Sequence, residues 1–139
     1  MKPVTILLVE DDEVDVMAVK RALRDLKIAN PLIRACDGIQ ALDILRGANG
    51  QSKLQSPFII LLDLNMPRMG GIEFLENLRA DPDLCRSVVF VMTTSAAEDD
   101  RARAYSKNVA GYVLKHDPAR SFIEAVSMLE HYWRVIEFP

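Results

Sequence analysis

The chain has 139 residues, of which 50% are hydrophobic and 27% are charged, and its formal net charge is -3. This size fits one compact domain with no room for a second, and the slight negative charge argues against a general attraction to nucleic acid or to an anionic membrane. Cys36 and Cys85 lie far apart without CxxC spacing, so we expect them to be reduced packing residues, which suits the cytosol. No apolar stretch approaches the roughly 18 residues of a membrane span. We therefore expect one cytoplasmic domain, residues 1–139, with no output domain.

Five short apolar runs alternate with segments of helical periodicity. Read as strands, they are residues 4–9, 32–36, 58–62, 88–92 and 111–114. Continuous apolar runs are typical of parallel strands that helices cover on both faces. The sequence therefore predicts βα alternation around a parallel sheet.

Three helices are predicted in the first part of the chain. Their apolar residues recur at helical spacing, as Val16, Val19, Leu23 and Leu26 in helix 1, Ile39, Leu42 and Leu45 in helix 2, and Ile72, Phe74, Leu75 and Leu78 in helix 3. Helix 1 spans about 13–27. Asp37-Gly38 turns the chain before helix 2, which Gly47 is predicted to cap before a polar loop. Asp81-Pro82 stops helix 3, because proline cannot continue a helix.

Two further helices complete the pattern. One, at about 98–107, is strongly charged and short of apolar residues, so we expect it to be the least firmly packed. The other runs from about 118 to 136, with proline in its first turn. Right-handed crossovers between five strands then favour a doubly wound, flavodoxin-like α/β fold with strand order 2-1-3-4-5 and helices on both faces.

Polar residues end the predicted strands at the sheet edge where open α/β folds bind their ligands. They are Glu10, Asp11 and Asp12 after strand 1, Asp63 and Asn65 after strand 3, Thr93 after strand 4 and Lys115 after strand 5. Carboxylates gathered at one point repel one another unless a cation neutralises them, and oxygen ligands suit Mg²⁺. A carboxylate beside such an ion can attack phosphorus, while a hydroxyl and an ammonium hold the phosphoryl oxygens. The pattern therefore predicts phosphorylation of Asp63.

Each of these residues taken singly has an ordinary structural interpretation. An aspartate at a strand end, such as Asp63, is usually a turn former or a helix cap. Residues 10–12 could cap helix 1, since acids favour helix N-termini. Thr93 could cap helix 4, and Lys115 could be a surface charge. The occurrence of all of them at the ends of strands 1, 3, 4 and 5 favours a shared site.

Four motifs resemble those of the receiver domain of bacterial two-component response regulators, and the resemblance covers essentially the whole chain. They are Ile-Leu-Leu-Val-Glu-Asp-Asp at 6–12, Leu-Leu-Asp-Leu-Asn-Met-Pro-Arg-Met-Gly-Gly at 61–71, Val-Met-Thr-Thr-Ser at 91–95 and Gly-Tyr-Val-Leu-Lys at 111–115. The resemblance implies a single-domain switch that accepts a phosphoryl group from a sensor histidine kinase with the help of Mg²⁺ or Mn²⁺. The ending at 132–139 also resembles the subgroup that partners phytochrome-type photoreceptor kinases.

The same resemblance implies a role for individual residues. Asp63 is the phosphoacceptor, and Asp12 lies just outside the metal site. The implied metal ligands are Glu10, Asp11, Asp63 and the carbonyl of Asn65, and the implied phosphate-binding and switch residues are Thr93, Lys115 and Tyr112. Tyr112 could instead be a packing residue, as aromatics in strands usually are.

One departure from the family concerns the loop after strand 5. The family usually has a proline joined by a cis bond directly after the lysine, whereas this chain continues Lys115-His116-Asp117-Pro118. A cis bond without proline costs about 3 kcal/mol. We therefore expect a loop of different shape, and with it a different partner surface.

Two other classes of protein match the residues less well. A phosphohydrolase of the haloacid-dehalogenase type uses an aspartyl phosphate but has a second acid two residues after the nucleophile, where this chain has Asn65. A flavodoxin-like nucleotide or flavin carrier would need a phosphate-cradling loop rich in Gly, Ser or Thr at residues 10–12. We therefore expect no enzyme activity on external substrates, only self-phosphorylation and autodephosphorylation.

The C-terminal helix is predicted to carry two apolar faces. At 100° per residue, the first face covers about 80° of arc and consists of Phe122, Val126, Leu129, Trp133 and Ile136. The second lies beside it and consists of Met128, Tyr132 and Val135. A helix against one sheet cannot bury both faces, so the second predicts a homodimer interface. The alternative is that the tail after Trp133 folds back over Tyr132 and the protein is monomeric.

Overall fold

A computed structural model describes residues 4–25, 27–64, 66, 69–93 and 108–114, with only the backbone described at residue 93 and at residues 112–114. The elements are β1 (Thr5–Val9), α1 (Glu13–Asp25), β2 (Leu32–Ala35), α2 (Gly38–Arg46), β3 (Phe58–Asp63), α3 (Gly71–Ala80), β4 (Val89–Thr93) and β5 (Gly111–Leu114). None of the helices in this part of the chain has the length and hydropathy that a membrane crossing requires. The helices predicted at 98–107 and 118–136 lie outside the described residues.

The five strands form one parallel sheet in the order β2-β1-β3-β4-β5, as predicted. The sequence order reverses between β1 and β3, whose neighbouring residues Val9 and Leu62 are paired. Asp63, the last residue of β3, pairs with Met92 of β4. The carboxyl ends of β1, β3 and β4 therefore lie side by side at one edge of the sheet.

Alternate residues of the central strands face two separate core clusters, because successive side chains of a strand point to opposite faces. Ile6 and Leu8 contribute to the cluster beneath α1, whose buried helix residues are Val16, Val19 and Leu23. Leu7 and Val9 contribute to the cluster beneath α2 and α3. Coverage on both faces explains why the strand sequences are continuously apolar.

Local side chains determine where α2 begins and ends. Asp37 is the N-cap, and its carboxylate accepts a hydrogen bond of 2.8 Å from the amide of Gln40. Gly47 has the left-handed conformation, with φ 67°, and its amide donates to the carbonyl of Asp43. The predicted C-cap is thus confirmed, and Asp37 caps the helix as well as turning the chain.

Two sequence predictions about packing were wrong. Ile39 was assigned to the buried stripe of α2 but is 38% exposed, because the inward positions are those of Gly38, Ala41 and Leu45. Position 38 suits glycine because Met69 fills the space that a side chain there would occupy, with Met69 Cγ 2.8 Å from the position of a Cβ. Cys36, expected to be a packing residue, is an exposed free thiol.

Arg79 fastens the end of α3 to the loops that precede β4 and β5. Its Nη1 donates to the carbonyls of Cys85 and Ser87, both at 2.8 Å, and its Nη2 donates to the carbonyl of Asn108 at 3.0 Å. Burial lowers the pKa of the Arg79 guanidinium. The Arg79 side chain therefore connects α3 to the loop before β4 and to the loop before β5. The sequence alone does not indicate this role.

Candidate functional site

Three carboxylates converge at the carboxyl ends of β1 and β3. One oxygen from each of Glu10, Asp11 and Asp63 lies within 4.8 Å of the other two. Glu10 and Asp63 are 0% and 1% exposed, whereas Asp11 is exposed. Negative charges this close repel one another, and the repulsion is strongest where water is excluded. The group is therefore an arrangement that a bound cation would stabilise.

Its chemistry fits a hard divalent ion. All three donors are carboxylate oxygens, which Mg²⁺ and Mn²⁺ prefer over softer ligands. The exposure of Asp11 leaves one side of the group accessible to water, and Mg²⁺ usually keeps several water ligands. An ion bound here would offset the carboxylate charge and stabilise the negative charge of a phosphoryl group.

The neighbouring acid, Asp12, has a different role. Its Oδ1 accepts hydrogen bonds from the amides of Val14, at 2.8 Å, and Asp15, at 3.4 Å, so that it caps α1. Its own amide donates to Oε2 of Glu10 at 3.3 Å. The capping interpretation of residues 10–12 is therefore correct for Asp12, whereas Glu10 and Asp11 belong to the carboxylate group with Asp63.

A glycine shapes the backbone directly after Asp63. The amide of Gly71, the first residue of α3, donates to the carbonyl of Leu64 at 3.1 Å. A Cβ at Gly71 would lie 2.5 Å from Cα of Leu64 and 2.6 Å from the carbonyl oxygen of Asp63. No side chain other than that of glycine fits there without moving this backbone. The Gly-Gly pair at 70–71 was the signal for this contact in the sequence.

The remaining predicted site residues are only partly described. Thr93 is the last residue of β4, and Tyr112 pairs through its backbone with Val91, but neither side chain is described. Asn65 and Lys115 lie outside the described residues, as does the predicted dimer surface of Met128, Tyr132 and Val135. Of the predicted residues, the structure thus brings together the side chains of Glu10, Asp11 and Asp63.

The sequence did not predict that Arg34 lies near this site. Arg34 of β2 lies in an otherwise apolar run, and its guanidinium reaches the loop between β1 and α1. A charged residue inside a predicted buried strand was the available signal.

The fold and the carboxylate group together define a metal-binding α/β protein of the flavodoxin-like type. The family profile described as "Response regulator receiver domain" matches residues 6–127. The chain therefore belongs to the response regulator receiver family. It is 36% identical to response regulator Rcp1 of Synechocystis sp. (strain PCC 6803) over 131 residues, which cover 94% of this chain and 89% of that protein.

Solved structures agree with this assignment. The bacteriophytochrome response regulator RtBRR superposes with a TM-score of 0.81 at 35% identity, covering 91% of this chain and 77% of that one. The phosphorylated cyanobacterial phytochrome response regulator RcpA has a TM-score of 0.79 at 31% identity, with coverage of 100% and 99%. The Mn²⁺-bound form of Rcp1 has a TM-score of 0.77 at 35% identity, with coverage of 99% of both chains.

These similarities confirm the predicted family, fold and cofactor class. The chain is a response regulator receiver, and hence a signalling protein of the two-component type. Its three carboxylates form a group able to hold a metal ion, and the related Rcp1 structure contains Mn²⁺.

Proposed function

We propose that Asp63 accepts the phosphoryl group, from a phosphohistidine of a sensor kinase or from a small acyl phosphate. The observation that carries this proposal is the position of the Asp63 carboxylate at the end of β3, within 4.8 Å of the carboxylates of Glu10 and Asp11. An Asp63 oxygen attacks phosphorus, the bond from phosphorus to the donor breaks, and the donor leaves with that electron pair. The product is an aspartyl phosphate.

The neighbouring strands supply the rest of the proposed machinery. Asp63 pairs with Met92, so Thr93 follows at the same sheet edge. We assign the Thr93 hydroxyl and the Lys115 ammonium to phosphoryl oxygens, the Asn65 carbonyl to the metal, and Tyr112 to the conformational response. Since a phosphoryl group carries negative charge, the Lys115 ammonium would form charge-assisted hydrogen bonds with its oxygens.

Intact mass measurement tests the proposed chemistry. The protein is incubated with acetyl phosphate and Mg²⁺, and in parallel with EDTA. We expect one added phosphoryl group per chain with Mg²⁺ and essentially none with EDTA. Continuous hydrolysis of added phosphate esters would support the phosphohydrolase alternative instead, and the absence of both activities would contradict the proposal.

We infer that the phosphodonor is a histidine kinase of the phytochrome type. The support is that RtBRR and RcpA are described as phytochrome response regulators, and Rcp1 is a relative of similar length. A cytoplasmic location and the absence of nucleic-acid or membrane partners belong to the same proposal. Rapid transfer from a purified phytochrome kinase, compared with a chemotaxis kinase at equal concentration, tests the partner. Equal transfer rates would contradict it.

Removing the charge of Asp11 should weaken metal binding. In Asp11→Asn, one charged ligand is lost from a group of three, so the Mg²⁺ dissociation constant should rise at least about tenfold. The metal-free protein should become slightly more stable, because carboxylate repulsion is relieved. Calorimetric titration and thermal unfolding without metal measure the two effects. Asp12→Asn is the matched control, since asparagine caps a helix as well as aspartate. An unchanged Mg²⁺ affinity in Asp11→Asn would contradict its role as a ligand.

We further propose a homodimer through Met128, Tyr132 and Val135. The support is the second apolar face of the C-terminal helix, for which closed two-fold pairing is the commonest cover. Sedimentation velocity at micromolar concentration should show a dimeric wild type and a largely monomeric Tyr132→Glu, because the carboxylate would be buried in the interface. Wild-type monomers, or a variant that dimerises equally well, would rule out this interface.

A further inference from the structure

Arg34 makes three contacts with the segment that carries two of the metal-binding acids. Its Nε donates to the carbonyl of Glu10 at 3.0 Å, and its Nη2 donates to the carbonyl of Asp11 at 3.0 Å. Its Nη1 forms an ion pair with the carboxylate of Glu13. One planar guanidinium thus spans the loop from the end of β1 to the start of α1.

The two carbonyl contacts should matter more than the ion pair. The Arg34 side chain is 21% exposed, whereas that of Glu13 is 73% exposed, and exposed ion pairs contribute little to stability. The hydrogen bond to the carbonyl of Glu10 is partly buried and that to the carbonyl of Asp11 is exposed, and a charged donor makes both stronger than bonds between neutral groups. The bonds to Glu10 and Asp11 restrict the orientation of two successive peptide units, and thereby the direction in which both side chains leave the backbone.

Arg34 is also held firmly itself. It lies in β2 and pairs with Leu8 of β1, directly before the strand end that leads to Glu10. An arginine guanidinium stays protonated in proteins at any accessible pH. The guanidinium therefore remains charged and is fixed to a strand, not to a loop.

We propose that Arg34 is a positioning residue, which holds the loop between β1 and α1 in the shape in which Glu10 and Asp11 bind the divalent ion. This inference rests on the metal site formed with Asp63. Arg34 is not a metal ligand, since a guanidinium has no acceptor atom for a cation. It acts through the backbone of the two residues that are.

A positioning role and a purely electrostatic role predict opposite signs. The positive charge of Arg34 should repel a nearby cation, so removing only that charge would strengthen Mg²⁺ binding. Removing the two carbonyl contacts would free the loop, and ordering it again on binding would weaken Mg²⁺ affinity. The direction of the change in Arg34→Gln therefore separates the two roles.

Calorimetric titration of Mg²⁺ into the full chain tests the proposal, at a temperature where circular dichroism shows every variant folded. We expect the Mg²⁺ dissociation constant to rise about tenfold in Arg34→Gln, the lower end of the range for residues that orient metal ligands. Arg34→Lys keeps the positive charge but cannot reach both carbonyls as the planar guanidinium does. We therefore expect its Mg²⁺ affinity to fall by about threefold. Because the loss is geometric, it should persist in high salt, where electrostatic effects shrink.

Arg46→Gln provides the matched control. Arg46 also donates to a carboxylate, that of Asp81 at 3.0 Å. It lines a cavity with Phe58, the first residue of β3, and so lies at the amino ends of the strands, away from the carboxylate group. Its replacement removes the same charge and should leave Mg²⁺ affinity unchanged. Glu13→Gln removes the ion pair but keeps both carbonyl contacts, so we expect at most about a twofold change.

The outcomes distinguish this inference from the metal site itself. Unchanged or tighter Mg²⁺ binding in Arg34→Gln, together with weaker binding in Asp11→Asn, would overturn the role of Arg34 alone. A wild type that binds no Mg²⁺, or that binds it no better than Asp11→Asn, would overturn both. If Arg34→Gln does not fold, the Arg34→Lys comparison decides: affinity equal to wild type overturns the proposal, and a loss that persists in salt supports it.

Discussion

Asp63→Asn is expected to abolish the gain of a phosphoryl group from acetyl phosphate while leaving the fold intact. The amide has nearly the shape of the carboxylate, so β3 and its pairing with β4 should be retained. It lacks the negative charge and nucleophilicity that attack on phosphorus requires. Because Asp63 is 1% exposed and close to two other acids, the neutral amide should also relieve repulsion and raise the unfolding temperature of the metal-free protein slightly.

Asp12→Asn is the control for this result. It makes the same chemical change two residues after Glu10, at an acid that caps α1 and stands outside the carboxylate group. Intact mass should show wild-type phosphorylation in Asp12→Asn and none in Asp63→Asn. Phosphorylation of Asp63→Asn at the wild-type rate, with the adduct mapped to a neighbouring acid, would refute the assignment of the acceptor.

Gly71→Ala is expected to have the largest effect on the fold around the site. The added Cβ would lie 2.5 Å from Cα of Leu64 and 2.6 Å from the carbonyl oxygen of Asp63. Both atoms belong to the backbone, which cannot rotate away as a side chain can. Overpacking of this kind costs about 1–3 kcal/mol. Displacement of the segment after Asp63 should also slow phosphorylation at least about tenfold, because misplacing a reacting group by about 1 Å can reduce the reaction rate by more than that.

Two other glycines, Gly70 and Gly38, show why the effect should be specific to Gly71. At Gly70 the nearest atoms to an added Cβ are carbonyl oxygens at 3.8 Å, an ordinary contact, so Gly70→Ala should cost below about 1 kcal/mol as a change of N-cap. At Gly38 the close atoms belong to the flexible side chain of Met69, which can move. Chemical denaturation and the rate of phosphorylation measure both effects. If Gly71→Ala were as stable and as rapidly phosphorylated as Gly70→Ala, the backbone after Asp63 would accommodate the added Cβ without cost, and the prediction would be wrong.

The sequence determined the parallel sheet, its strand order and the positions of α1, α2 and α3. These follow from local patterns: continuous apolar runs such as 58–62, helical spacing of apolar residues, and caps such as Gly47. The site was predictable for the same reason. A residue that directly follows a predicted strand must lie at the carboxyl end of that strand, so the sequence alone places Asp63 and Glu10 at one edge of the sheet.

The tertiary structure decided what each polar residue contacts. It separated Asp12, which caps α1, from Asp11, which joins Glu10 and Asp63, although the two are adjacent and chemically identical. It also brought Arg34 to the carbonyls of Glu10 and Asp11. Periodicity specifies the face or edge on which a residue lies, but a hydrogen bond between distant segments depends on strand register and on the reach of a long side chain. Those distances exist only once the segments are packed together.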